Sequence, residues 1–106
     1  MTKVRIDPGI CGLITRVEGQ AEDETAVKVT IVSACKSIRE MAGELGEDYD
    51  AYDLCLRKPG EGPFYEYAQE HFPVHVSCPA INSIIKYVEV ECRLALKKNA
   101  SIEFIE

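Results

Sequence analysis

An α+β fold, an antiparallel three-stranded sheet with helices packed on one face, is what this sequence predicts, and three observations predict it. The first third of the chain alternates apolar and polar residues with a period of two. From Cys35 onward the apolar residues recur at helical spacing. No internal repeat and no linker-like tract divides the 106 residues, so residues 1–106 read as a single domain. A chain of this length buries one modest core without covalent staples.

The elements follow in order. Val4 and Ile6 start a short strand, and Asp7-Pro8-Gly9 breaks it, because Pro fixes φ and Gly permits a positive one. Leu13, Thr15 and Val17 alternate with Ile14, Arg16 and Glu18, which predicts a strand over residues 13–18. After a polar connection comes the clearest strand, Ala26–Ser33, with Val27, Val29 and Ile31 on one face and Lys28 and Thr30 on the other. The two runs form an antiparallel hairpin with one solvated face. The period then changes. Ile38, Met41, Ala42 and Leu45 stand at i, i+3, i+4 and i+7, an amphipathic helix that Gly46 ends. Residues 48–56 predict a second short helix with Tyr49, Tyr52 and Leu56 inward. Lys58-Pro59-Gly60-Glu61-Gly62 is a loop, and Pro63 opens a helix to about His71, closed by Phe72-Pro73. The last long helix begins at Pro79 and carries Ile81, Ile84, Ile85, Val88, Cys92, Ala95 and Leu96 on one stripe until Asn99 stops it. In residues 101–106, Ile102 and Phe104 alternate with Glu103, a pattern that would add a C-terminal edge strand.

Charge and hydropathy exclude some functions. The net charge is −6, from 12 basic and 18 acidic side chains, and the basic residues form no stripe. An acidic surface repels phosphate backbones, which argues against a nucleic-acid partner. No apolar run approaches the ~20 residues needed to cross a bilayer, which argues against a membrane role. Met1-Thr2-Lys3-Val4-Arg5-Ile6 has no apolar signal core, so a cytoplasmic location is expected. Gly60-Glu61-Gly62 leads into a Pro-started helix and is no phosphate loop.

Five cysteines are unusual for such a chain. In a reducing compartment cysteines are buried small hydrophobes, reactive thiols or metal ligands more often than disulfides. Cys92 lies on the apolar stripe and Cys55 between Leu54 and Leu56, so both read as packing residues. The other three stand at element boundaries. Cys11 is in the turn Pro8-Gly9-Ile10-Cys11-Gly12, Cys35 is in the first turn of a helix, and Cys78 precedes Pro79 as the expected N-cap. Unpaired backbone N–H groups at helix N-termini favour a thiolate, the form that binds metals and attacks sulfur. Cys11, Cys35 and Cys78 are therefore the candidate ligands of one shared site, with His75 as the natural fourth metal ligand. The spacing is no CxxC knuckle and does not single out zinc.

The cysteine-bearing segments resemble the IscU and NifU N-terminal type of iron–sulfur cluster scaffold. That family has a Cys-Gly turn after its first strand, a cysteine opening the helix after its third, and a Pro-Val…Cys segment entering a later helix. Here these are Pro8-Gly9-Ile10-Cys11-Gly12, Ser33-Ala34-Cys35-Lys36-Ser37-Ile38 and Pro73-Val74-His75-Val76-Ser77-Cys78. The spacing from Cys35 to Cys78 matches the family closely and that from Cys11 to Cys35 nearly. The resemblance covers most of the chain in pattern. It implies a three-stranded antiparallel sheet with helices on one face, and cluster thiolates at Cys11, Cys35 and Cys78. Its implied partners are a cysteine desulfurase or cluster acceptor proteins. Leu13 stands where the family has Asp, and Ser77 where it has His. The Lys that completes the family's chaperone-recognition segment is replaced by His75. The Asp-Pro-Gly-Ile-Cys-Gly start also resembles that of small single-domain proteins of anaerobic bacteria and archaea, a likeness that implies no activity.

The leading expectation is a protein that binds a metal or an iron–sulfur cluster, with an iron–sulfur cluster or Zn as cofactor and no catalytic residue assigned. A zinc-dependent sulfurtransferase that accepts persulfide is the second. A binding or regulatory domain with unliganded reduced thiols is the third.

Overall fold

The structure, a computed structural model, describes residues 2–106. Among these residues four strands form one antiparallel sheet in the order β1-β2-β3-β4: β1 Lys3–Ile6, β2 Thr15–Ala21, β3 Ala26–Ser33 and β4 Asp48–Asp50. The register explains the alternation in the sequence. Ile6, Thr15 and Ser33 lie side by side, as do Val4, Val17 and Ile31, then Gly19 and Val29, then Ala21, Val27 and Tyr49. These rows share one face and supply the sheet's part of the core. The intervening rows, Lys3–Glu18–Thr30 and Arg5–Arg16–Val32, face solvent. A one-residue slip would exchange the two faces, so burial itself fixes the register.

Helices α1 Lys36–Leu45, α2 Ala51–Cys55, α3 Pro63–His71 and α4 Ala80–Glu91 cover the apolar face. α4 lies on β1 and β2, and α1 lies on β3. α2 packs against α4, and α3 against α1. Met41, Ala51, Ile84 and Val88 are wholly buried where these layers meet. Phe64 is buried against Tyr49, with ring centroids 5.1 Å apart. Among the described residues no helix is long and apolar enough to cross a membrane.

The structure departs from the expected elements in four places, the smallest being β2, which starts at Thr15 and runs to Ala21 instead of covering residues 13–18. The sheet's fourth strand is β4, not residues 101–106, which have no regular structure. Gly46, at φ 81°, ends α1 and turns the chain back so that Tyr49 pairs with Val27 on the free side of β3. The helix expected over residues 48–56 therefore begins only at Ala51, where the Asp50 carboxylate accepts the N–H groups of Tyr52 and Asp53. The delay rotates its face. Ala51 and Leu54 are buried, while Tyr52 and Leu56 are exposed.

α4 also stops early. Arg93 takes a left-handed conformation, φ 63°, its N–H donates to Val90 O at 3.1 Å, and Leu94 N–H donates to Glu89 O at 2.7 Å. This is a Schellman ending with Arg in the place usually held by Gly, and Leu94 folds back onto the core. Ala95 and Leu96, which continue the apolar stripe in the sequence, thus fall outside the helix.

Candidate functional site

The row Ile6–Thr15–Ser33 closes one end of the sheet, and the polar contacts there are specific. The hydroxyls of Thr15 and Ser33 are buried and 2.7 Å apart. Ser33 Oγ also accepts the Cys35 N–H at 3.0 Å, while Ala34 N–H donates to Ile14 O. Arg39 Nη1 reaches back to Ser33 O and Ala34 O at 3.3 and 2.9 Å. These bonds fix the strand-to-helix junction. Cys35 is the N-cap residue of α1 rather than a member of its first turn, and its side chain makes no capping hydrogen bond among the described residues. The thiol is half-buried against the core.

Cys11 lies on the turn between β1 and β2. Gly12 N–H donates to Gly9 O at 2.9 Å, the Asp7 carboxylate accepts the Gly9 N–H, and both glycines have positive φ. Cys11 is exposed, and so is the Ile10 side chain beside it. Cys78 is half-buried one residue before the cap of α4. Pro79 takes the N-cap place expected for Cys78, and Cys78 N–H donates to His75 O at 3.4 Å. His75 is exposed.

The direction of α4 brings these segments to the same end. The Tyr87 hydroxyl donates to Thr2 O at 2.7 Å and Thr2 N–H donates to the Glu91 carboxylate, so the last turns of α4 lie at the start of β1. At 1.5 Å per residue, Ala80 lies about 10 Å back along the helix. Ser83 accordingly borders the same cleft as Ile6 and Asp7. The Cys11 turn, the Cys35 cap and the segment before α4 therefore all leave the end marked by Ile6, Thr15 and Ser33. The structure gathers the segments at this end without assembling a ligand cage. Among the described residues no three His, Cys, Asp or Glu side chains converge to hold a metal ion. All five cysteines are free thiols.

Cys55 and Cys92 are of a different kind. Cys55 Sγ lies 3.8 Å from Ile85 O at the α2–α4 contact, and burial, followed by the charge of Glu89, pushes its thiol up to about 12. Cys92 is buried at the C-cap of α4, and burial, then Glu91 and Asp23, raises its thiol as well. Both disfavour a thiolate at neutral pH.

Two features at this end escape sequence reasoning. The Thr15–Ser33 hydroxyl pair is visible only once the strand register is known. The Arg39 contacts have a signal, an Arg one turn into the helix that Cys35 opens. Fold and site together define a small two-layer α+β domain with thiols on the connecting segments at one end of its sheet. The chain belongs to a family of unknown function, DUF6951, whose model matches residues 2–104. No curated protein and no solved structure matches it.

Proposed function

We propose that this chain is a metal- or iron–sulfur-cluster-binding protein, related to the cluster scaffolds, with the thiolates of Cys11, Cys35 and Cys78 as ligands. The observation that carries the proposal is topological. Three of the five thiols stand on separate connections, the β1–β2 turn and the segments that enter α1 and α4, whereas Cys55 ends α2 against α4 and Cys92 caps the C-terminus of α4. Soft sulfur donors suit Zn²⁺, Cu(I) and iron–sulfur clusters. Ligation requires the Cys11 turn and the segment carrying His75 and Cys78 to close on Cys35, and both are exposed connections rather than core. His75 is placed in the sequence to complete a fourfold set. Such thiols stay reduced in the cytoplasm, where the proposal locates the protein, with a cysteine desulfurase or a cluster acceptor as its partner.

The test is the composition of protein purified without oxygen or chelator. Iron with acid-labile sulfide, or stoichiometric zinc, is the expected result, lost in Cys11→Ser, Cys35→Ser and Cys78→Ser and kept in Cys55→Ser. Protein free of metal and sulfide, even after reconstitution, would leave a binding domain with unliganded thiols.

The exposure of Cys11 favours one second reading, a zinc-dependent sulfurtransferase. The Cys11 thiolate would attack the outer sulfur of a donor persulfide, form a new persulfide and release the donor as thiolate. Intact mass after incubation with a cysteine desulfurase and cysteine decides it. A gain of one sulfur atom, absent in Cys11→Ser, supports the transfer, and no gain ends it.

A further inference from the structure

β1 is an edge of the sheet, and an edge strand presents unpaired N–H and C=O groups along its outer side. Beside it lies a cleft of about 510 Å³ bounded by β1, by α4 at Ser83 and Val90, and by residues 95–100. Residues 101–106 continue beyond the cleft with no regular structure. Within them Ile102, Phe104 and Ile105 are 84%, 93% and 93% exposed. Three large apolar side chains in four positions form a patch of the kind that marks an interaction surface.

The pattern of this segment fits the β1 edge. Successive side chains of a strand point to opposite faces. Added beside β1, Ile102 and Phe104 fall on the core side with Val4 and Ile6, over the cleft. Glu103 then falls on the solvated side, across from Lys3 and Arg5. Opposite charges on neighbouring strands attract, and among the described residues no carboxylate pairs with Arg5 or Arg16. The other edge, β4, carries Asp48 and Asp50 on its solvated side and repels Glu103. Within one chain, residues 95–100 already flank the cleft, and residues 101–106 leave it with no turn and no backbone hydrogen bond, among the described residues, that would lay residues 102–105 on β1.

We propose that residues 101–106 of one copy add as a strand to the β1 edge of a second copy, and that the reciprocal exchange closes a twofold dimer. No thiol enters this surface, so its failure and the failure of the metal site are separate results. Light scattering on a sizing column tests it. The full chain is expected at twice the single-chain mass of 11.8 kDa. A chain shortened to residues 1–100, and Phe104→Asp, are expected at the single-chain mass with an unchanged helical circular dichroism signal, since both changes touch only residues outside the helices and the core. Arg5→Glu is expected to weaken the dimer and Arg5→Glu with Glu103→Arg to restore it. A monomeric full chain overturns the proposal, including one whose residues 102–105 are protected from amide exchange by pairing within the chain. A shortened chain that remains dimeric overturns it as well.

Discussion

The two ends of the sheet are built differently. At the end where β1 begins, α4 is tied to the strands by the Tyr87 hydroxyl on Thr2 O and by the Thr2 N–H on Glu91. Gly19 lets β2 and β3 approach there, because a Cβ on it would collide with the Lys28 carbonyl. At the far end the strands are held by the buried Thr15–Ser33 pair, but the connections beyond it are irregular, and three of the five cysteines stand on them. Interlayer ties and irregular connections are thus separated along the strands. One end ties α4 to the strands, and the other joins the strands to exposed turns around the fixed Ser33–Cys35 junction.

Substitutions at the two ends should differ accordingly, beginning with the most damaging. Ile84→Ala removes a wholly buried side chain from the middle of α4 and is expected to cost about 2–5 kcal/mol in chemical denaturation. Gly19→Ala forces the β2–β3 backbones apart and is expected to cost about 1–3 kcal/mol. Tyr87→Phe leaves Thr2 O without its donor, a loss of about 1 kcal/mol. The same variant carries a pH signature. Burial, then Glu91, raises the Tyr87 phenol from 10.0 to about 12, so its proton is held more tightly in the native chain than in the unfolded one. Its contribution is complete below pH 10 and fades as the pH rises toward 12. Melting temperatures across that range should fall less steeply in Tyr87→Phe than in the parent. Cys11→Ser, at the other end, should change stability by less than about 0.5 kcal/mol, since the side chain is exposed. A large loss there would erase the distinction between the two ends.

Much of this architecture is legible in the sequence where local signals and tertiary packing agree. The strand Ala26–Ser33 and the helix Pro63–His71 coincide with their expected bounds, because the alternation of Val27 and Val29 and the Pro at the first helical position are strong local cues. β4 is not legible. Asp48 to Asp50 flanks one strand former, Tyr49, with two strand-disfavouring aspartates and is drawn into the sheet by the free side of β3 and the burial of Tyr49. The end of α4 is hidden for a related reason. Arg93 takes the left-handed turn, so no glycine marks it, and the apolar Ala95 and Leu96 extend the helical pattern past the real stop. For the candidate site, the periodicity marks Cys11, Cys35 and Cys78 as boundary residues, but it runs α4 past Cys92 and does not show that Cys55 and Cys92 also stand at helix ends or that Cys35, Cys55 and Cys78 share the same partial burial. The distances between sulfurs are not, because they depend on how three irregular segments are oriented at the far end.

The most direct measurement is a footprint of all five thiols. Anaerobic protein is alkylated with and without saturating Zn²⁺, and modification is read for each cysteine by peptide mass. Cys55 and Cys92 should react slowly in both conditions, since burial holds their protons. Cys11, Cys35 and Cys78 should react without metal and be protected together when it is present. Zinc that leaves any of these three as reactive as before, or that protects Cys55 and Cys92 instead, would contradict the shared site.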